Sequence, residues 1–170
     1  TSDVYKRQAH GSFVHVLQLP TSSEAPHLLR SFAQHRTTRT ALDGRVLSGG
    51  HGQAAATPTP IVLAAVSSDG QWLVTADTAR RMHVFHLDTL SHQRALATPA
   101  YVPSGACFHP THPSLLALVL PTNQVSFYDL EADGEAPAWE AALRRDLDAA
   151  LSRIREPVVG CTWLPGPDGH

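Results

Sequence analysis

One phrase in this chain recurs twice in full and once in part: an apolar strand, a turn, a second apolar strand, a short gap, and a third strand ending in aromatic-polar-Leu. The first full copy runs from Ile61 to Leu87 and the second from Gly105 to Leu130. Their closing residues, Leu87 and Leu130, lie 43 residues apart. A small sheet repeated at such an interval cannot bury its faces alone; it needs further copies stacked against it. The chain is thereby constrained to a row of packed sheets. Its function belongs on loops and rims, because the repeat itself carries no chemistry.

Within the first copy, Ile61–Val66 is continuously apolar, as expected of an inner strand buried on both faces. Ser67-Ser68-Asp69-Gly70 supplies the side-chain bond and the positive φ of a hairpin turn. Trp72–Ala76 is the second strand and Met82–Leu87 the third, with Ser91–Tyr101 returning across the outside. In the second copy, Pro110 and Pro113 mark the first turn, Leu115–Leu120 the second strand, and Pro121-Thr122-Asn123 the next turn before Val125–Leu130. WD-repeat propeller blades recur at roughly 40–45 residues. The expected fold class is therefore all-β: a WD-repeat β-propeller fragment of about three partial blades, with one inserted helix. Phe85-His86 and Tyr128-Asp129 occupy the Trp-Asp position in degenerate form.

The organisation follows from composition. Residues 1–8 contain DVYKRQ, which looks like a translated sequencing-library adapter, and are expected to be an artefact outside the fold. Residues 9–35 are expected to hold the end of one blade (Ser12–Leu19) and the outer strand of the next (His27–Gln34). Residues 36–60, rich in Gly, Thr and Pro, read as a flexible insertion, and 61–130 as two blades. Residues 131–157 form an acidic linker and an amphipathic helix over Ala138–Arg155. In that helix Trp139, Leu143, Leu147, Leu151 and Ile154 fall on one stripe. Residues 158–170 begin a further blade, so both ends read as cut.

A hydrophobic share of 42% suits a packed core, and a net charge of −2 gives no general attraction for nucleic acid. No run approaches the roughly 18 apolar residues of a membrane helix. Cys107 and Cys161 each follow a small residue in a first strand and are expected to be buried, inert thiols of a reducing compartment. Among eleven histidines the nearest pairs are His109 with His112 and His83 with His86. Neither has Cys or acidic partners at a zinc-binding interval, and His109 aligns instead with the turn residue Ser67. No nucleophile elbow, phosphate loop or paired-carboxylate motif is present, so neither a catalytic residue nor a cofactor is expected. The remaining candidates for RNA or partner contact are Arg36, Arg39 and Arg45 around the insertion, Arg80 and Arg81 on a turn, and the helix face Trp139/Leu143/Leu147.

The block from Ile61 to Asp129 resembles the cirhin family of WD-repeat proteins, in the second of their propellers. The residues carrying this are Ser67, Asp69, Gly70, Trp72 and Leu73; His83, Val84 and Phe85; Pro99, Ala100 and Tyr101; and Gln124, Val125, Phe127 and Tyr128. SFVHVLQL fits the strand just upstream and EPVVGCTWLP the start of the last blade, so the resemblance spans most of Phe13–Pro165. It implies a non-enzymatic scaffold of the small-subunit processome in the nucleolus. Its implied partners are other processome proteins and pre-rRNA, with no membrane and no small-molecule substrate. The insertion and the helix match least. The blade pattern alone also admits a generic WD-repeat adaptor, such as a ubiquitin-ligase substrate receptor or a trafficking scaffold.

Overall fold

The computed structural model describes residues 4–20, 25–38, 56–132, 150–151, 153 and 156–164, with side chains from residue 11 onward except 37 and 38. Among these the structure is all-β, with antiparallel sheets and almost no helix, as in a fragment of a β-propeller. The strands are β1 (Val4–His10), β2 (Phe13–Leu19), β3 (His27–Phe32), β4 (Arg36–Thr38), β5 (Ala56–Pro58), β6 (Ile61–Val66), β7 (Trp72–Asp77), β8 (Met82–His86), β9 (Ser91–Leu96), β10 (Gly105–Phe108), β11 (Leu115–Val119) and β12 (Val125–Asp129). They form sheets β1-β2-β3, β4-β5, β6-β7-β8-β9 and β10-β11-β12. The chain divides into two compact units. One is Thr1–Val62 with Asp77–Ala79; the other is Leu63–Ala76 with Arg80–His170.

The second unit holds the main core. Val74 pairs with Val84 and Ala76 with Met82 across β7 and β8, so the four share one face. Leu116 and Leu118 on β11 lie opposite Tyr128 and Ser126 of β12. Val74, Ala76, Met82 and Val84 join Phe108, Leu116, Leu118, Leu120 and Leu130 in one buried cluster spanning both sheets. Each such aliphatic side chain contributes about 1.5–3 kcal/mol when fully buried. The 43-residue offset holds in the backbone as well. Arg80 and Asn123, one repeat apart, both take positive φ, at 66° and 62°, at equivalent turns.

The expected hairpin after β6 forms as its residues require. Gly70 sits at φ 80°, Asp69 accepts from Gln71 N, and Ser67 Oγ accepts from Trp72 N at 2.8 Å. Three expectations change. Residues 1–8 were to lie outside the fold, yet Val4–His10 is a strand paired along β2, from Val4 opposite Leu19 to His10 opposite Phe13. Gly11 at φ 60° turns the chain in two residues, and ladder bonds depend on backbone rather than on sequence origin. Second, β3 pairs with β2, so it is the outer strand of that same sheet; a short link favours an antiparallel neighbour, and β9 fills the outer place of the next sheet. Third, β6 is not buried on both faces. It is an edge strand whose residues alternate, with Val62 52% exposed; β7, the next strand inward, is the fully buried one.

Within the expected insertion, β4 and β5 pair Arg36 with Pro58 and Thr38 with Ala56, closing its base. The expected helix Ala138–Arg155 lies almost wholly outside the described residues, of which Ala150 and Leu151 are helical. Residues 157–164 run without an assigned ladder, where a first strand was expected.

Candidate functional site

In the first unit, the base of the insertion is tied by a buried polar network. Asp77, at the end of β7, has no exposed surface, and His35, just ahead of β4, is 1% exposed. His35 Nδ1 lies 2.9 Å from Asp77 Oδ2, and Thr59 Oγ donates to the same oxygen at 2.6 Å. Asp77 Oδ1 accepts from Ala79 N at 2.9 Å, which shapes the turn after β7. Thr59 N donates in turn to His35 O at 3.0 Å. With the carboxylate ionised, the imidazole proton sits on Nδ1. A buried carboxylate survives only with such partners, and His35, Thr59 and the Ala79 amide supply them here. The network closes the two ends of the insertion around β4 and β5.

An Asp–His pair invites comparison with hydrolytic relays. Here the hydroxyl bonds the carboxylate, and both the carboxylate and the imidazole are sealed from solvent. The geometry holds a loop; it does not present a nucleophile to a substrate.

In the second unit, Arg80 is exposed in its left-handed turn and donates from Nη1 to Ala100 O at 2.7 Å. That bond holds the rim turn against the segment leading to β10 and spends one of five guanidinium donors. Arg81 beside it is half-buried. Arg36 is exposed at the start of β4, in the first unit. Arg39, Arg45, Trp139, Leu143 and Leu147 lie outside the described residues. The arginines around the insertion and those on the rim thus belong to different units.

Arg94 was not singled out in the sequence, where it sits in a polar outer strand. Its Nη2 reaches the carbonyls of Asp129, Leu130 and Ala132 at 3.1–3.3 Å, clasping β9 to the end of β12. His109 takes the turn role expected from its alignment with Ser67. Its Nδ1 accepts from Thr111 N and His112 N at 3.2 Å. Burial, with the charge of His112 behind it, holds His109 below the ordinary imidazole value of 6.5. His86 packs edge-on against Trp72 while His83 meets His92, as opposite faces of β8 require. Among the described residues no group of three or more His, Cys, Asp or Glu side chains could hold a metal ion.

Both cysteines are free thiols, as expected, but Cys161 lies in an extended segment rather than on a strand, and the Sγ atoms of Cys107 on β10 and Cys161 come to 2.9 Å. Both are half-buried. The segment around Cys161 passes close enough to β10 for the two side chains to meet, which strand position alone does not reveal. No protein-family model matches the chain, and no curated protein matches it.

Proposed function

We propose that this chain is part of a WD-repeat β-propeller and that the intact protein is a non-catalytic scaffold in small-subunit ribosome biogenesis, acting in the nucleolus to support pre-rRNA processing. The observation that carries the reading is the repeat offset of 43 residues, realised as two consecutive antiparallel sheets sharing one core, in a block whose ordered motifs resemble the cirhin family. Repeats of this type carry a Gly-His and Trp-Asp signature. His35, ahead of the sheet β6–β9, stands in the place of that histidine, with Gln34 before it and Phe85-His86 at the later pair. Its buried bond to Asp77 gives it a structural task in the repeat.

Scaffolds of stacked sheets offer partners their rim loops, because the strands are committed to the core. Arg80 and Arg81 lie on such a turn, and a guanidinium suits RNA phosphate or an acidic protein surface alike. The implied partners are other processome proteins and pre-rRNA. Depletion of the intact protein with northern analysis of pre-rRNA tests the reading. Accumulated unprocessed precursor and reduced small-subunit rRNA are expected; unchanged early cleavages would reject it in favour of a generic adaptor. Charge reversal at Arg80 and Arg81 should then reduce co-purification of processome components.

A further inference from the structure

The segment carrying Cys161 is fastened to the sheet β10–β12 on both sides of that residue. Before it, Ser104 Oγ donates to Val158 O at 2.7 Å, and Asn123 both accepts from Val158 N at 2.8 Å and donates to Glu156 O at 3.2 Å. After it, Trp163 Nε1 donates to Cys107 O at 3.4 Å, and the indole packs on His109 with centroids 4.5 Å apart. Gly105 and Gly160 let the backbones approach: a Cβ on Gly105 would stand 2.8 Å from Gly160 Cα. Between these fastenings the two sulfurs meet at 2.9 Å, against about 2.05 Å in a disulfide. Held this way, the thiols need no conformational search to react with one another.

We propose that Cys107 and Cys161 form a reversible disulfide when the protein meets a hydroperoxide, converting the non-covalent seating of residues 156–164 on β10 into a covalent one. The thiolate of one cysteine attacks one peroxide oxygen. An S–O bond forms, the O–O bond breaks, and the departing oxygen leaves as water or an alcohol after taking a proton. The sulfur is oxidised to a sulfenic acid while the peroxide is reduced by two electrons. The other thiol then attacks that sulfur, giving up its proton. The S–S bond forms, the S–O bond breaks, and the hydroxide leaves with that proton as water. A dithiol reverses the link by exchange.

One thiol of the pair donates to the other, which favours the thiolate on the accepting sulfur and holds the proton on its neighbour. The accepting sulfur attacks first and the thiol that keeps its proton resolves. The link would span 54 residues of chain and would hold the extended segment in register with β10.

The test uses the intact protein, reduced, exposed to hydrogen peroxide, blocked with a maleimide and digested for mass spectrometry. The expected product joins the peptides of Cys107 and Cys161, short by the mass of two hydrogens, and dithiothreitol restores both thiols. In Cys107→Ser the sulfenic acid should accumulate on Cys161 and be trapped by dimedone. In Cys161→Ser the linked product should be absent, and Cys107 should be left as a sulfenic acid open to the same trap. Urea should abolish the preferred pairing, which separates folded geometry from intrinsic reactivity. Recovery of both residues as maleimide adducts, or pairing of either with another cysteine of the protein, would overturn the proposal. It stands independently of the scaffold reading, since neither result bears on pre-rRNA processing.

Discussion

Replacing Asp77 with alanine should open the base of the insertion more than any other single polar change in the first unit. The carboxylate receives His35, Thr59 and Ala79 at 2.9, 2.6 and 2.9 Å. Its removal strands the His35 N–H where only 1% of that residue is exposed. An unsatisfied buried donor costs about 1–3 kcal/mol. Thr59 and Ala79 are half-buried, so each can recover part of its bond from water. The sum is about 3 kcal/mol, at the low end of the range for breaking a buried pair. Since about 1.4 kcal/mol is a factor of ten, the local opening constant should rise by about a hundredfold. Amide hydrogen exchange on the intact protein reads this directly. The reporters are Thr59 N, bonded to His35 O, and Thr78 N, bonded to Pro60 O, both at 3.0 Å. Asp77→Asn, which keeps an acceptor oxygen and lets His35 switch tautomer, should lose about 1 kcal/mol. Asp69→Ala, on an exposed turn, should leave these amides unchanged. If Asp77→Ala accelerates exchange no more than Asp69→Ala does, the reasoning from burial fails.

Two further outcomes follow from the second unit. Arg94→Met keeps the aliphatic stem but frees three carbonyls, so it should lower the unfolding midpoint, at a cost of about 1.5–3 kcal/mol, and Arg94→Lys should rescue little because its ammonium ends one bond short of Nη2. Because the folded value of His109 is depressed below 6.5, its contribution to stability is complete above that pH and is lost as pH falls through the folded value. Protection at Thr111 and His112, whose amides donate to its ring, should fall on acidification once exchange is corrected for the intrinsic pH dependence of free amides, and His109→Asn should flatten that trend.

The strands and turns were legible because their signals are local. Period-two alternation marked β8, and the Asp69-Gly70 pair marked the hairpin between β6 and β7. The interval from Leu87 to Leu130 foretold the match between Arg80 and Asn123 at positive φ. The polar network was not legible, because His35 and Asp77 are 42 residues apart with the insertion between them. One signal was available: a carboxylate ending the apolar run Trp72–Ala76 must find donors. The second copy has no such need. Leu120 stands one repeat after Asp77 and joins the apolar core, so the same slot is filled by burial instead of by hydrogen bonds. Arg94 and the cysteine pair escaped for a related reason: each acts on a segment distant in sequence, and neither breaks the local pattern of its own strand. The arginines chosen for their clustering in sequence were divided by the fold between two units.

The close approach of Gly105 to Gly160 in the second unit makes an asymmetric prediction. A Cβ built on Gly105 meets Gly160 Cα at 2.8 Å, its carbonyl carbon at 3.3 Å and Cys161 N at 3.4 Å. All three are backbone atoms, so no rotamer change relieves them, and the segment holding Val158 and Cys161 must retreat. Gly105→Ala should therefore cost about 1–3 kcal/mol as an overpacked site. It should also weaken together the Ser104–Val158, Cys107–Cys161 and Trp163–Cys107 contacts. A Cβ on Gly160 meets nothing within 4 Å, and Gly160 is not among the glycines at positive φ. Gly160→Ala should then be neutral, or stabilising by up to about 1 kcal/mol through the unfolded chain. Unfolding midpoints of the two variants, with the maleimide labelling rate of Cys161 as a local reporter, distinguish the cases. Faster labelling in Gly105→Ala alone supports the close seating of this segment on β10. Equal effects at the two glycines, or a larger one at Gly160, would show that the segment does not lie against β10 in this way.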